Sequence, residues 1–200
     1  MGISATQVKE LRDITGAGFM ECKSALAEAS GNIEEAVIVL RTRGQAKAEK
    51  RAGRTTAQGL VGHYLHQGEQ VGVLIEVNCE SDFVARTEDF RTLVKEIAMH
   101  VAAANPLCTR REDVPVEDLE REKGIIRAQF EDSNKPPNII EKIVDGKLRG
   151  YYEQVVLLDQ PSIRDPKTTI GEMITAAIAK LGENITVARF ARFKVGESPS

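Results

Sequence analysis

An α+β protein is predicted from this 200-residue sequence: a small three-helix head with a basic linker over residues 1–54, then an α+β core over 55–200 with antiparallel strands packed on helices. Apolar residues recur at helical spacing in three short runs within the first 40 positions. From Leu60 the period becomes extended, and two such runs flank Gln67-Gly68-Glu69-Gln70, which is the pattern of a β-hairpin. Further on, helical stripes are separated by short extended runs, as expected of strands packed on helices.

The first helix opens at Ser4-Ala5-Thr6-Gln7, a capping box in which the Ser hydroxyl satisfies an orphan amide and Gln reaches back. Val8, Leu11 and Ile14 share one face, and Gly16 suits a left-handed stop. A second helix is predicted from Phe19 to Ser30, with Cys22, Leu26 and Ala29 inward and Gly31 ending it. Asn32-Ile33-Glu34-Glu35 repeats the capping signal, and Ile33, Ala36, Val37 and Leu40 form a third stripe. A bundle this small is near the lower size limit for folding alone, so its faces are expected to dock onto something. Between Arg41 and Arg54 stand six basic residues and one acid, Glu49, which reads as a partly helical linker, basic on its exposed side.

The hairpin pairs Gly59–His66 with Val71–Asn78. Thr87 can cap a long helix whose stripe is Phe90, Leu93, Val94, Ile97, Ala98 and Val101, ended by Asn105-Pro106. A helix is predicted over Glu117–Phe130, a break over Asn134–Pro137, a helix over Ile139–Leu148 and a strand over Val155–Leu158. Thr169-Ile170-Gly171-Glu172 is again a capping box, its helix face running from Ile170 to Leu181 with Gly182 as terminator. Alternation over Ile185–Val195 predicts a closing strand.

At 42% hydrophobic and 28% charged residues the chain reads as an ordinary globular protein. A net charge of −3 argues against a general nucleic-acid or membrane binder, which needs cationic surface to displace counterions. There is no signal-peptide core and no apolar run long enough for a membrane span, so a cytoplasmic protein is expected. The three cysteines, Cys22, Cys79 and Cys108, are odd in number and far apart, and read as small core hydrophobes.

Bond-making chemistry finds no support. No Gly-rich loop ends in Lys-Ser or Lys-Thr, and Thr15-Gly16-Ala17-Gly18 lacks the preceding strand of a phosphate site. His63 and His66 fall on opposite faces of a predicted strand, and His100 has no ligand or base at a useful spacing. The expectation is therefore a non-enzyme with no catalytic residue, no metal and no cofactor, acting through its surfaces. One stretch stands out: Asn78-Cys79-Glu80-Ser81-Asp82-Phe83-Val84-Ala85-Arg86, at a strand-to-helix junction. Phe83 lies seven residues before Phe90 and in phase with its stripe, which favours a core position. The start signal at Thr87-Glu88 instead makes Ser81–Arg86 a separate turn, with Phe83 displayed. Spacing alone leaves both open.

The stretch Asn78–Ala85 resembles the signature of bacterial elongation factor Ts, the nucleotide-exchange factor of the translational GTPase elongation factor Tu. Val8-Lys9-Glu10-Leu11-Arg12, Thr15-Gly16-Ala17-Gly18, Met20 and Cys22-Lys23 resemble that family's N-terminal motif. Ile97–Ala103, Glu141-Lys142-Ile143-Val144, Gln160-Pro161 and Gly182-Glu183-Asn184-Ile185 extend the likeness to nearly the whole chain. Ser81 stands where the family usually has Thr, and Ser162 where it tends to have Phe. The resemblance implies a UBA-like head, elongation factor Tu as partner, and pairing as a homodimer, since no duplicated subdomain or coiled-coil insertion is found. It also implies that Phe83 wedges into the GTPase near its magnesium site while Asp82 perturbs the groups there, with Ser81 and Val84 framing them. Phe19, Met20, Lys23 and Arg51 are the expected further contacts. Two rival readings remain: an RNA-associated protein using the basic 41–54 run, and a peptide-binding module built on the head.

Overall fold

The structure, a computed structural model, describes residues 3–130, 133 and 135–197. Its elements run α1 (Ala5–Thr15), α2 (Phe19–Glu28), α3 (Ile33–Glu49), β1 (Gln58–Leu65), β2 (Val71–Cys79), α4 (Asp82–Ala85), α5 (Glu88–Ala104), α6 (Val116–Ala128), α7 (Pro137–Val155), α8 (Ile170–Leu181) and β3 (Ile185–Lys194). The three strands form one antiparallel sheet in the order β1-β2-β3. The α+β class and the N-terminal helical bundle are as predicted.

The capping signals act as their chemistry dictates. Ser4 Oγ accepts from the Gln7 amide at 3.2 Å while the Ser4 amide donates to Gln7 Oε1 at 3.0 Å, closing the capping box of α1. Gly16 ends that helix at φ 67° and donates its N–H to the Arg12 carbonyl. Val8, Leu11, Cys22, Ala25, Leu26, Ala29 and Ala36 form a buried cluster shared by α1, α2 and α3.

One predicted element is extended and one is corrected. The partly helical run after Leu40 continues the third helix: α3 extends through most of the basic segment to Glu49. Its second half is held by pairs with α2, Arg43 to Glu28 and Lys47 to Glu21, and by Gly44, which is buried on the side of Ala179. The predicted strand Val155–Leu158 is instead the last residue of α7, a single parallel bridge from Val156 to Cys108, and a 3-10 turn over Leu157–Asp159. The predicted break is entered at Asn134, which lies outside the described residues, and helix α7 begins at Pro137.

Contacts divide the chain into two compact units. One gathers Met1–Leu60, Val77–Leu93 and Met173–Thr186; the other gathers Val61–Glu76, Val94–Glu172 and Val187–Ser200. In the first, Phe90 is fully buried, worth ~1.5–3 kcal/mol by its area removed from water. In the second, Ile97, Ala98 and Val101 of α5 are buried, and His100 beside them is 1% exposed, its Nε2 at 2.9 Å from Gln160 Oε1. Ser162 is buried as well, and its hydroxyl accepts from the Arg164 amide in a polar turn. Cys22 and Cys79 are buried as expected, whereas Cys108 is only half-buried, with burial the main cause pushing its thiol up to about 11. No helix among the described residues is long and apolar enough to cross a membrane.

Candidate functional site

The polar stretch after β2 folds as a free-standing turn. Ser81 adopts an extended backbone and its Oγ accepts from the Val84 amide at 3.3 Å, starting the four-residue helix α4. Thr87 closes one helix and opens the next. Its hydroxyl donates to the Val84 carbonyl at 2.7 Å and accepts from the Phe90 amide at 3.3 Å. The chain therefore breaks phase between Phe83 and Phe90. Phe90 goes into the core and Phe83 is 78% exposed.

The surroundings of this turn are polar and tightly bonded. Glu183, in the turn between α8 and β3, accepts from the Ser81 amide at 3.0 Å and from the Ser81 hydroxyl at 2.6 Å. Asn184 donates its amide N–H to Glu80 Oε1 at 2.7 Å and its Nδ2 to the Arg54 carbonyl at 2.9 Å. That amide, with Arg54 alongside, holds the Glu80 carboxyl below the usual carboxylate range. Beneath the turn, Cys79 Sγ lies 3.1 Å from the Ser81 carbonyl; burial first, and the Glu183 charge second, push its thiol up. Asp82 pairs with Arg86 at 2.7 Å, both side chains well exposed. An exposed pair of this kind is worth ~0–1 kcal/mol and is readily exchanged for another partner.

The remaining expected contacts lie on or after the head. Phe19 and Met20, in the first turn of α2, are 51% and 69% exposed. Neither closes the bundle core, which is formed by other residues. Lys23 is exposed and makes no hydrogen bond or ion pair among the described residues. Arg51 is half-buried and donates from Nη1 to the Lys47 carbonyl at 3.2 Å. All eight residues, Ser81, Asp82, Phe83, Val84, Phe19, Met20, Lys23 and Arg51, fall in the first compact unit. Only Ser81 to Val84 share one bonded constellation.

Glu183 and Asn184 belong to that constellation and carried no role in the sequence reading. Their partners are 102 and 104 positions away in the chain, so no local spacing could announce them. No group of three or more potential metal ligands occurs among the described residues. The geometry offers an apolar ring beside a carboxylate on a braced turn, which suits docking rather than bond making.

Comparison with known proteins agrees across the chain. A family model described as Elongation factor TS matches residues 3–197. A protein named Elongation factor Ts from Caldanaerobacter subterraneus is 56% identical, with 98% of each chain covered. Proteins of the same name from Solibacter usitatus and Fervidobacterium nodosum are each 54% identical over 98% of this chain, covering 92% and 100% of the relative. With a family match from residue 3 to residue 197 and relatives of this similarity along their full lengths, the chain belongs to the elongation factor Ts family.

Proposed function

We propose that this translation elongation factor speeds release of GDP from elongation factor Tu, acting in the cytoplasm and without bond-making chemistry. The observation that carries the reading is Phe83, a large apolar ring 78% exposed on a turn whose every end is hydrogen-bonded. Such a ring is of no use to its own core. Burial in a partner's pocket is worth ~1.5–3 kcal/mol, enough to anchor a contact.

Exchange follows by linkage. A factor that binds the nucleotide-free GTPase better than the loaded form must weaken nucleotide binding by the same factor, commonly ~1–3 kcal/mol. Phe83 supplies the wedge, and Asp82, released from Arg86, brings a carboxylate to the groups around the partner's magnesium ion. Ser81 and Val84 hold the wedge in place. Phe19 and Met20 add apolar area, with Lys23 and Arg51 as cationic rim contacts.

The RNA reading of the 41–54 run loses ground. Arg43, Lys47 and Arg54 are each engaged by a carboxylate, Glu28, Glu21 and Glu80 in turn, which removes cationic surface an RNA backbone would need. A second copy of the chain is proposed to cover the exposed apolar face of the sheet formed by Leu65, Leu74, Phe193 and Val195. Stopped-flow release of a fluorescent GDP analogue from elongation factor Tu tests the exchange reading. Saturating protein is expected to accelerate release; an unchanged rate overturns it.

A further inference from the structure

We propose that Glu183 is a positioning residue for exchange: it sets the direction in which Asp82 and Phe83 are presented, a role that rests on the exchange reading above. A four-residue helix has no means of holding itself, because forming the first turn fixes several dihedrals for a single hydrogen bond. Its order must come from outside. The Phe83 ring contributes nothing, being exposed, and the Asp82–Arg86 pair is a surface contact.

Buried Ala85 and the Thr87 hydroxyl fix the far end of the turn, and the outside contact at its entry is the Glu183 carboxylate. One oxygen accepts the Ser81 amide at 3.0 Å and the other accepts the Ser81 hydroxyl at 2.6 Å. Two charge-assisted bonds from one carboxylate to one residue fix orientation as well as position. They also set the cap. With its proton committed to Glu183, the hydroxyl has only lone pairs left to offer, and it accepts the Val84 amide at 3.3 Å. The chain enters α4 at a fixed angle, and the next two residues are Asp82 and Phe83.

The base of this strut is itself anchored. Asn184, the adjacent residue, is buried; its amide donates to Glu80, and its Nδ2 donates to the Arg54 carbonyl in the segment leaving α3. Glu183 thus stands on a turn that is bonded on both sides, to the residue before Ser81 and to the segment after the head. A carboxylate that merely stabilised the fold would affect melting alone. One that aims the ring affects the maximal rate of exchange, because the wedge acts in the transition to the empty GTPase.

The chain contains no Trp, so Phe83→Trp installs a single fluorescent reporter at the turn. Time-resolved anisotropy of that reporter is compared with Glu183 intact, with Glu183→Gln and with Glu183→Ala. The Ala change is expected to add a large fast-decaying amplitude; the Gln change should fall between, since its amide keeps one acceptor oxygen. With Phe83 restored, Glu183→Ala is expected to lower the maximal rate of GDP release by about tenfold, equal to ~1.4 kcal/mol, with a smaller change in half-saturating concentration. Gln should restore part of the rate. If the Ala variant does not fold, the Gln variant decides both readouts. A folded variant with unchanged anisotropy overturns the bracing, and one with an unchanged maximal rate overturns the role in exchange. A native chain that fails to speed GDP release overturns the exchange reading itself, and the anisotropy, taken on the protein alone, keeps the two failures apart.

Discussion

Phe83 and His100 show how single side chains divide between display and burial. Phe83→Ala removes a ring that its own molecule hardly touches, so folding stability should change by no more than ~0.5 kcal/mol. GDP release should slow by about ten- to a hundredfold, matching the ~1.5–3 kcal/mol a buried ring contributes. Urea denaturation beside stopped-flow exchange reads both; a large loss of stability with normal exchange would restore the core reading of Phe83. His100 is the converse case. Burial holds its imidazole below the usual histidine range, opposed by the bond to Gln160, so the folded chain keeps it neutral. Its stabilising contribution is fully present above the unfolded value, ~6.5, and is lost as pH falls from there through the folded value, because the unfolded chain then binds the extra proton. Between pH 7.5 and 5.5 the native chain should therefore lose more of its urea midpoint than His100→Gln, at up to ~1.4 kcal/mol per pH unit. Equal losses would show that His100 is not the titrating group. At this scale the sequence was half legible. Thr87 read as a cap, but Phe83 sits in phase with Phe90, and the Thr87 hydroxyl, serving both helices, breaks that phase.

Elements were legible where a cap and a stripe agreed, as in α1, α5 and α8. They failed where one signal stood alone. The 41–54 run read as a partly helical linker because of its charge, yet Arg43 and Lys47 are partners for acids on α2, and helix formers such as Ala46 and Ala48 carry α3 on to Glu49. Val155–Leu158 is apolar and β-branched at its start, a composition that does not tell a strand from the buried end of a helix. There the Gln160 Nε2 donates to the Gln154 carbonyl at 2.7 Å and turns the chain, leaving one bridge instead of a ladder. Strand β1 packs closely on α5. A Cβ at Gly62 would lie 2.3 Å from Val94 Cγ1, so the strand backbone rests directly on the helix. Gly62→Ala should destabilise the fold by ~1–3 kcal/mol, the usual cost of overpacking a filled core. Pairing it with Val94→Ala, which vacates that space, should recover part of the loss in urea denaturation; strict additivity would mean that the two side chains do not meet.

For the whole molecule, the sheet supplies the argument that the helices do not. One face of β2 is buried through Val73, Ile75 and Val77, while Leu74 between them is exposed, together with Leu65 on β1 and Phe193 on β3. These exposed residues and Val195 line one shallow apolar groove in the second compact unit. An open sheet face with Leu and Phe side chains in water is costly, and a standard interface hides ~800 Å² per partner. A second copy of the chain meets the requirement with no further component, because an identical face is self-complementary across a twofold axis. Leu74→Asp combined with Phe193→Asp would set four carboxylates in such an interface, two from each copy, and break it. Light scattering at micromolar concentration should then show twice the chain mass for the native protein and one chain mass for the variant. A native protein already at one chain mass ends the proposal. The variant also separates two demands on the fold, since the Phe83 turn lies in the other compact unit and keeps its own hydrogen bonds. If exchange falls with the mass while the Phe83→Trp anisotropy stays unchanged, the partner requires two copies acting together; if exchange survives in the monomer, one braced ring is enough.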